Sequence, residues 1–118
     1  MTTEQMHPTV AERIEEAQRT GATILDLSEL GLTALPDAIG RLSSLQGLYL
    51  DDNQLSELPD AIGQLSSLQS LDLNDNQLNE LPDTIGQLSS LQSLYLRYTL
   101  IANLYRNWRG LIERHRCA

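Results

Sequence analysis

The sequence predicts an α/β solenoid of about four repeats, with a parallel sheet on the concave face and helical N- and C-terminal caps. Two observations lead to this fold class. Blocks of 23 residues recur as LPDAIGRLSSLQGLYLDDNQLSE, LPDAIGQLSSLQSLDLNDNQLNE and LPDTIGQLSSLQSLYLRYTLIAN. Leucines keep the same spacing in each block, and Pro36, Pro59 and Pro82 lie 23 residues apart. A unit this short cannot bury its own leucines, so successive copies must stack around one elongated core.

The first predicted element is a helix over residues 10–20. Thr9 and Glu12 have the spacing of a capping box, and Gly21 supplies a C-terminal stop. Val10, Ile14 and Ala17 fall on one face of this helix. We therefore expect residues 1–21 to cap the first repeat.

Four strands follow, because each L-x-L segment alternates inward leucines with outward neighbours. They are expected near residues 24–28, 47–51, 70–74 and 93–97. All units run in the same direction, so the strands should pair in parallel. The repeats occupy residues 22–98.

Asparagine recurs just after two of the strands. Asn53 and Asn76 should turn inward as a structural ladder, where an amide can bond backbone groups left unpaired by the bend. In the first and fourth repeats Leu30 and Thr99 take this position. The prolines lack a donor, which suits a return path outside the sheet.

The last element is an amphipathic helix, predicted over residues 99–118. Ile101, Leu104 and Trp108 belong to an apolar stripe with helical spacing. We expect this helix to cover the last repeat as a lid. A docking helix for a partner protein or a membrane surface is the alternative.

Length and charge restrict the class of protein. The 118 residues suit a single domain, residues 1–118, and one cysteine excludes an intrachain disulfide. The N-terminus lacks a signal-peptide pattern, so we expect a cytoplasmic protein without a membrane partner. Residues 1–96 hold 3 Arg against 15 acidic residues, a formal charge of −12, whereas residues 97–118 carry +4. This acidic body argues against nucleic acid as a ligand.

The outward strand positions are the candidate binding surface, with Tyr49, Asp72 and Tyr95 in a central row. Exposed tyrosines among carboxylates suit a protein partner, because tyrosine provides contact area and acidic groups steer basic ones. A solvated strand face without a partner is the simpler alternative. The candidate partner-binding residues are Asp26, Tyr49, Asp51, Asp72, Asn74, Tyr95 and Arg97.

No pattern indicates catalysis, a cofactor or a metal site. Asp72, Asn74 and Asn76 imitate the start of a calcium loop, but Gln77 stands where that loop requires glycine. His7 and His115 lie near opposite ends of the chain without a clustered partner. We therefore predict a protein that is not an enzyme.

The spacing L-x-x-L-x-L-x-x-N-x-L occurs at residues 45–55 and again at 68–78. It resembles the leucine-rich-repeat family, in the 23-residue class whose repeats carry L-P-x-x-I-G-x-L. The segment AERIEEAQRTGATILDLSELGLTALP also resembles the N-terminal repeat region of bacterial Roco proteins, where repeats precede a GTPase module. No G-x-x-x-x-G-K-[ST] phosphate loop occurs in this chain, so the GTPase activity is not carried over.

These patterns favour a noncatalytic protein-interaction module that binds through the acidic, tyrosine-bearing concave face. Two alternatives stay open. The chain could be a regulatory repeat fragment related to Roco proteins and acting with a separate GTPase, or a homo-oligomeric structural repeat protein.

Overall fold

The computed structural model describes residues 9–99. Within this range the chain alternates strands with short 3₁₀ helices, after one N-terminal α-helix. The elements, in order, are α1 Val10–Thr20, β1 Ile24–Asp26, η1 Asp37–Arg41, β2 Gly47–Tyr49, η2 Asp60–Gln64, β3 Ser70–Asp72, η3 Asp83–Gln87 and β4 Ser93–Tyr95. Residues 100–118 of the predicted C-terminal helix lie outside the described residues, as do residues 1–8.

Helix α1 begins and ends at the predicted signals. The Glu12 N–H donates to Thr9 Oγ1 at 3.1 Å, and the Thr9 N–H donates to Glu12 Oε1 at 2.8 Å. At the other end Gly21 has a left-handed φ of 67°, which glycine adopts without steric cost. Ile14 and Ala17 are buried against the first repeat.

The four strands form one parallel sheet in the order β1-β2-β3-β4. Each strand is offset from the next by one repeat, so that Leu25, Leu48, Leu71 and Leu94 are register partners. The predicted solenoid of about four repeats is therefore confirmed.

Each strand has three residues rather than the five predicted. Hydrogen bonds between repeats continue past the strand, as when the Leu27 N–H donates to Tyr49 O at 2.8 Å. The chain then turns at a residue with a left-handed φ of 57° to 59°, namely Glu29, Asp52, Asp75 and Tyr98. This backbone conformation ends the extended segment three residues beyond the end of each strand.

The core is a continuous stack of leucine and isoleucine between the sheet and the return path. Leu48, Leu71 and Ile62 are among the core side chains with no solvent exposure. The return path begins at the prolines, where Pro59 with φ of −72° directly precedes η2.

Neighbouring 3₁₀ helices pack with almost no space between their backbones. A Cβ added at Gly63 would lie 2.5 Å from Thr84 O in η3. A Cβ at Gly40 would lie 2.8 Å from Ala61 O in η2. Glycine at this repeat position therefore sets how closely the convex side can stack.

Candidate binding face

The outward side chains of the four strands form one surface, which we call the concave face. It consists of Ile24, Asp26, Gly47, Tyr49, Ser70, Asp72, Ser93 and Tyr95. The strand register aligns Asp26 with Tyr49, Tyr49 with Asp72 and Asp72 with Tyr95. Aspartate and tyrosine thus alternate across the sheet. Because neighbouring strands lie about 4.8 Å apart, the backbones of Tyr49 and Tyr95 are about 10 Å apart.

The two tyrosines differ in their surroundings. Tyr95, on β4, is 42% exposed, whereas Tyr49 is half-buried. Tyr49 and Ile24 both lean over Gly47, since a Cβ at Gly47 would lie 2.7 Å from Ile24 Cδ1 and 3.6 Å from Tyr49 Oη. The sequence showed that these residues face outward but did not reveal that Ile24 covers Gly47.

The two aspartates of the row occupy equivalent repeat positions but have different environments. Asp26 Oδ1 accepts from both the N–H of Ser28, at 3.0 Å, and its Oγ, at 2.6 Å. These two bonds lower the pKa of Asp26 below its ordinary value. Arg13 contributes a weaker effect in the same direction.

Asp72 lies between the two tyrosine-bearing strands and is half-buried. Its Oδ1 accepts one bond, from the Asn74 N–H at 3.0 Å. Burial raises the pKa of Asp72, and the neighbouring charges of Asp51, Asp52 and Asp75 raise it further.

More acidic groups border the row where the strands end. Asp51 is half-buried, whereas Asp52 and Asp75 are exposed at the two left-handed turns. Asn74 Oδ1 accepts from the Arg97 N–H and so connects the third and fourth repeats. The site residues expected from the sequence therefore lie along the strands or in the turns that follow them. Arg97 is the cation among them.

Asn53 and Asn76 lie behind this surface, buried in the turns. Asn53 Oδ1 accepts from the N–H groups of Leu30, at 3.0 Å, and Leu32, at 2.9 Å. Its Nδ2 donates back to Leu27 O at 2.9 Å and Leu50 O at 3.0 Å. One amide therefore joins two repeats through backbone groups that the turn leaves unpaired.

Asn76 repeats this arrangement one repeat later. Its Oδ1 accepts from the Leu55 N–H at 3.0 Å, and its Nδ2 donates to Leu50 O at 2.9 Å. In the fourth repeat Thr99 accepts the Leu78 N–H through Oγ1, at 3.2 Å. Thr99 departs from the asparagine pattern in sequence but keeps one of the contacts that asparagine makes in the structure.

A groove of about 1050 Å³ lies elsewhere, between α1 and the outer edge of β1. Arg13 lines it, and Arg13 Nη1 donates to Asp26 O at 3.4 Å. This contact covers part of the outer edge of β1, the edge opposite to the one that pairs with β2. Edge strands are commonly protected in this way.

Comparison with known proteins identifies the family. A family model described as a leucine-rich repeat region matches residues 24–111. The chain belongs to the leucine-rich-repeat family. No curated protein matches it. Within residues 9–99, no helix combines the length and apolar character needed to span a bilayer.

Several solved structures are similar to this one. A repeat protein of Leptospira interrogans is 40% identical over 73% of this chain, with a TM-score of 0.63. The repeat domain of the type III effector XopL is 34% identical over 80%, with a TM-score of 0.67. A chain of the Toll–Spätzle complex of Drosophila is 32% identical over 67%, with a TM-score of 0.62. The matches span 24%, 33% and 11% of those three chains, respectively.

Proposed function

We propose that this leucine-rich-repeat chain is a noncatalytic interaction module whose concave face binds a protein partner. The observation that carries the proposal is the alternation of half-buried or exposed tyrosine with aspartate across four strands. Solenoid proteins use such extended concave surfaces for binding. One similar chain was solved in the Toll–Spätzle complex, which supports a protein as the class of partner.

The two tyrosines are the proposed anchors. Tyrosine and tryptophan are enriched among residues whose removal costs most binding energy, because they bury a large area at a small entropic cost. Tyr49→Ala and Tyr95→Ala should each reduce partner capture from native lysate, by about tenfold or more if each is a main anchor.

Gln87→Ala is a suitable control, since Gln87 is exposed at the end of η3 on the return path. It should leave capture unchanged. Circular dichroism should show that all three variants fold. A variant with both tyrosines replaced by alanine should capture least. If it captured the partner as well as the wild type does, the concave face would be excluded as the binding surface.

The pronounced charge asymmetry favours self-association as a second candidate. The body carries −12 and residues 97–118 carry +4, so contact between copies would be head-to-tail. Such contact should weaken as salt screens the exposed charges. Light scattering over a range of salt and protein concentrations tests this candidate.

The resemblance of residues 11–36 to Roco proteins supports a third candidate, a regulatory fragment that works with a separate GTPase. Purification from native cells should then recover a GTP-binding chain with this one. A cytoplasmic location, the setting of such a pairing, is likewise a proposal, and cell fractionation tests it.

A further inference from the structure

The position of Asp72 suggests which chemical group the concave face recognises. Register places Asp72 between Tyr49 and Tyr95, one strand away from each. The centre of the face therefore carries a carboxylate, and each of the two neighbouring strands presents a tyrosine at the paired position. Aromatic rings attract cations through their faces, and a carboxylate binds them directly.

Within residues 9–99, the Asp72 carboxylate has unused capacity to accept hydrogen bonds. An ionised carboxylate offers about four lone-pair sites, and in this part of the chain the Asn74 N–H donates to Asp72. Asp26 differs, because both the N–H and the hydroxyl of Ser28 bind its Oδ1. Within residues 9–99 the ion pair is Arg19–Glu16, on α1, so Asp72 forms no salt bridge with a cation of this part of the chain.

The surroundings of Asp72 are unfavourable for its charge in the free protein. The side chain is half-buried, and Asp51, Asp52 and Asp75 all disfavour its ionised form. The same groups produce a negative potential that would attract a cation. A ligand that supplies positive charge would thus relieve a repulsion that the fold alone leaves in place.

We propose that Asp72, Tyr49 and Tyr95 form a pocket for an arginine side chain of the protein partner. The guanidinium group is planar, stacks on aromatic rings and can donate two parallel hydrogen bonds to one carboxylate. The two tyrosines lie on the strands that flank Asp72, with backbones about 10 Å apart, so a guanidinium group bound at Asp72 would be within reach of both side chains. This pocket rests on the proposed function and assigns a chemical class to the partner.

The direct test uses peptides of defined sequence and the intact chain. N-acetyl-Gly-Ser-Arg-Ser-Gly-amide is titrated into isotopically labelled protein and followed by NMR, beside versions with citrulline or lysine in place of arginine. Citrulline has nearly the same shape without the charge. The arginine peptide should shift the signals of Tyr49, Asp72 and Tyr95, with binding at least about tenfold tighter than the citrulline peptide.

Two matched pairs of variants assign the interaction to particular groups. Asp72→Asn should weaken the arginine peptide by about tenfold, because it removes a charge while keeping an acceptor for the Asn74 N–H. Asp60→Asn makes the same change at the exposed start of η2 and should have less than about a twofold effect. Tyr95→Phe keeps the ring and should bind normally, whereas Tyr95→Leu should bind about twofold to fivefold more weakly.

The outcomes separate this inference from the proposed function. Equal binding of the arginine and citrulline peptides would overturn the pocket, and equal binding of arginine and lysine would overturn its selectivity for guanidinium. A protein partner that depends on both tyrosines but is held equally well by Asp72→Asn would overturn the pocket and leave the proposed function intact. Arginine binding at Asp72 without any partner captured by this face would support the pocket and overturn the proposed function.

Discussion

At the scale of single residues, Asp26 and Asp72 occupy the same repeat position but have pKa values shifted in opposite directions. Ser28 donates two bonds to Asp26, whereas its counterpart Asn74 donates one to Asp72. Asn74 instead uses its side-chain oxygen to accept from Arg97 N–H. Burial, with the charges of the neighbouring aspartates, raises the pKa of Asp72, whereas the two bonds from Ser28 lower the pKa of Asp26.

This contrast predicts two opposite pH profiles. The pKa of Asp72 is raised from 3.8, so its protonated form is favoured by folding and stability falls as pH rises through that raised pKa. Asp72→Asn should therefore stabilise the chain at pH 7, by less than about 1 kcal/mol, and have little effect at pH 3.

Asp26→Asn is the matched comparison. The pKa of Asp26 is lowered, so its charge stabilises the fold at neutral pH and that contribution is lost as pH falls through the lowered pKa. This variant should be slightly destabilised at pH 7. Urea unfolding at both pH values measures the two effects, and the same sign for both variants at pH 7 would contradict the electrostatic assignment.

Buried Asn76 provides a larger effect from a single residue. Asn76→Ala should lower the free energy of unfolding by about 1–3 kcal/mol, because buried backbone groups of Leu50 and Leu55 lose their partner. Asn79→Ala makes the same change at an exposed position three residues later and should cost much less. Equal urea midpoints for these two variants would refute the ladder.

At the scale of elements, the stacking of 3₁₀ helices depends on space rather than on backbone conformation. Gly63 does not have a left-handed φ, so alanine could adopt its backbone angles and would ordinarily stabilise the chain by about 0.4–1 kcal/mol. The added Cβ would nevertheless meet Thr84 O at 2.5 Å and Thr84 Cβ at 2.7 Å. These atoms belong to the next repeat and cannot move without shifting η3.

We therefore expect Gly63→Ala to destabilise the chain by about 1–3 kcal/mol through overpacking. Gly40→Ala should cost less, since its closest contact, at 2.6 Å, is the flexible end of Gln64 and its backbone contact with Ala61 O is longer, at 2.8 Å, than the 2.5 Å contact at Gly63. Exposed Ser66→Ala, just after η2, should be nearly neutral. Thermal unfolding of the three variants ranks their stabilities. A Gly63→Ala variant more stable than the wild type would show that the repeats are packed less tightly than these contacts indicate.

At the scale of the whole molecule, burial changes along the stack. Leu71 and Leu73 have no solvent exposure, but their counterparts Leu94 and Leu96 are half-buried. Gly86 is exposed, although Gly40 and Gly63 are buried at the same repeat position. The last described repeat thus presents an apolar end, which we propose residues 99–118 cover.

Deletion of residues 101–118 should expose that end further and cause dimerisation, aggregation or loss of cooperative unfolding. Deletion of residues 113–118 alone is the control, because the family match ends at residue 111. It should remain monomeric. Size-exclusion chromatography with light scattering and urea unfolding would compare them, and a monomeric, sharply unfolding product of the longer deletion would exclude the lid.

The sequence by itself determined the repeat, the direction of the strands and the inward face. An exact spacing of 23 residues makes Leu25, Leu48, Leu71 and Leu94 equivalent, so their register follows directly. Capping residues at Thr9, Glu12 and Gly21 likewise predicted α1, since these signals act within a few residues of one another. Local spacing is sufficient wherever the interaction is local or repeated.

Only the tertiary structure decided how the repeats touch. A left-handed turn follows β2 at Asp52, Ile24 covers Gly47, and Thr99 accepts the Leu78 N–H. The unequal environments of Asp26 and Asp72 also depend on neighbouring repeats. Periodicity predicts which way a side chain points. The burial, charge state and hydrogen bonds of that side chain depend on the distance to the next repeat and on the residues found there.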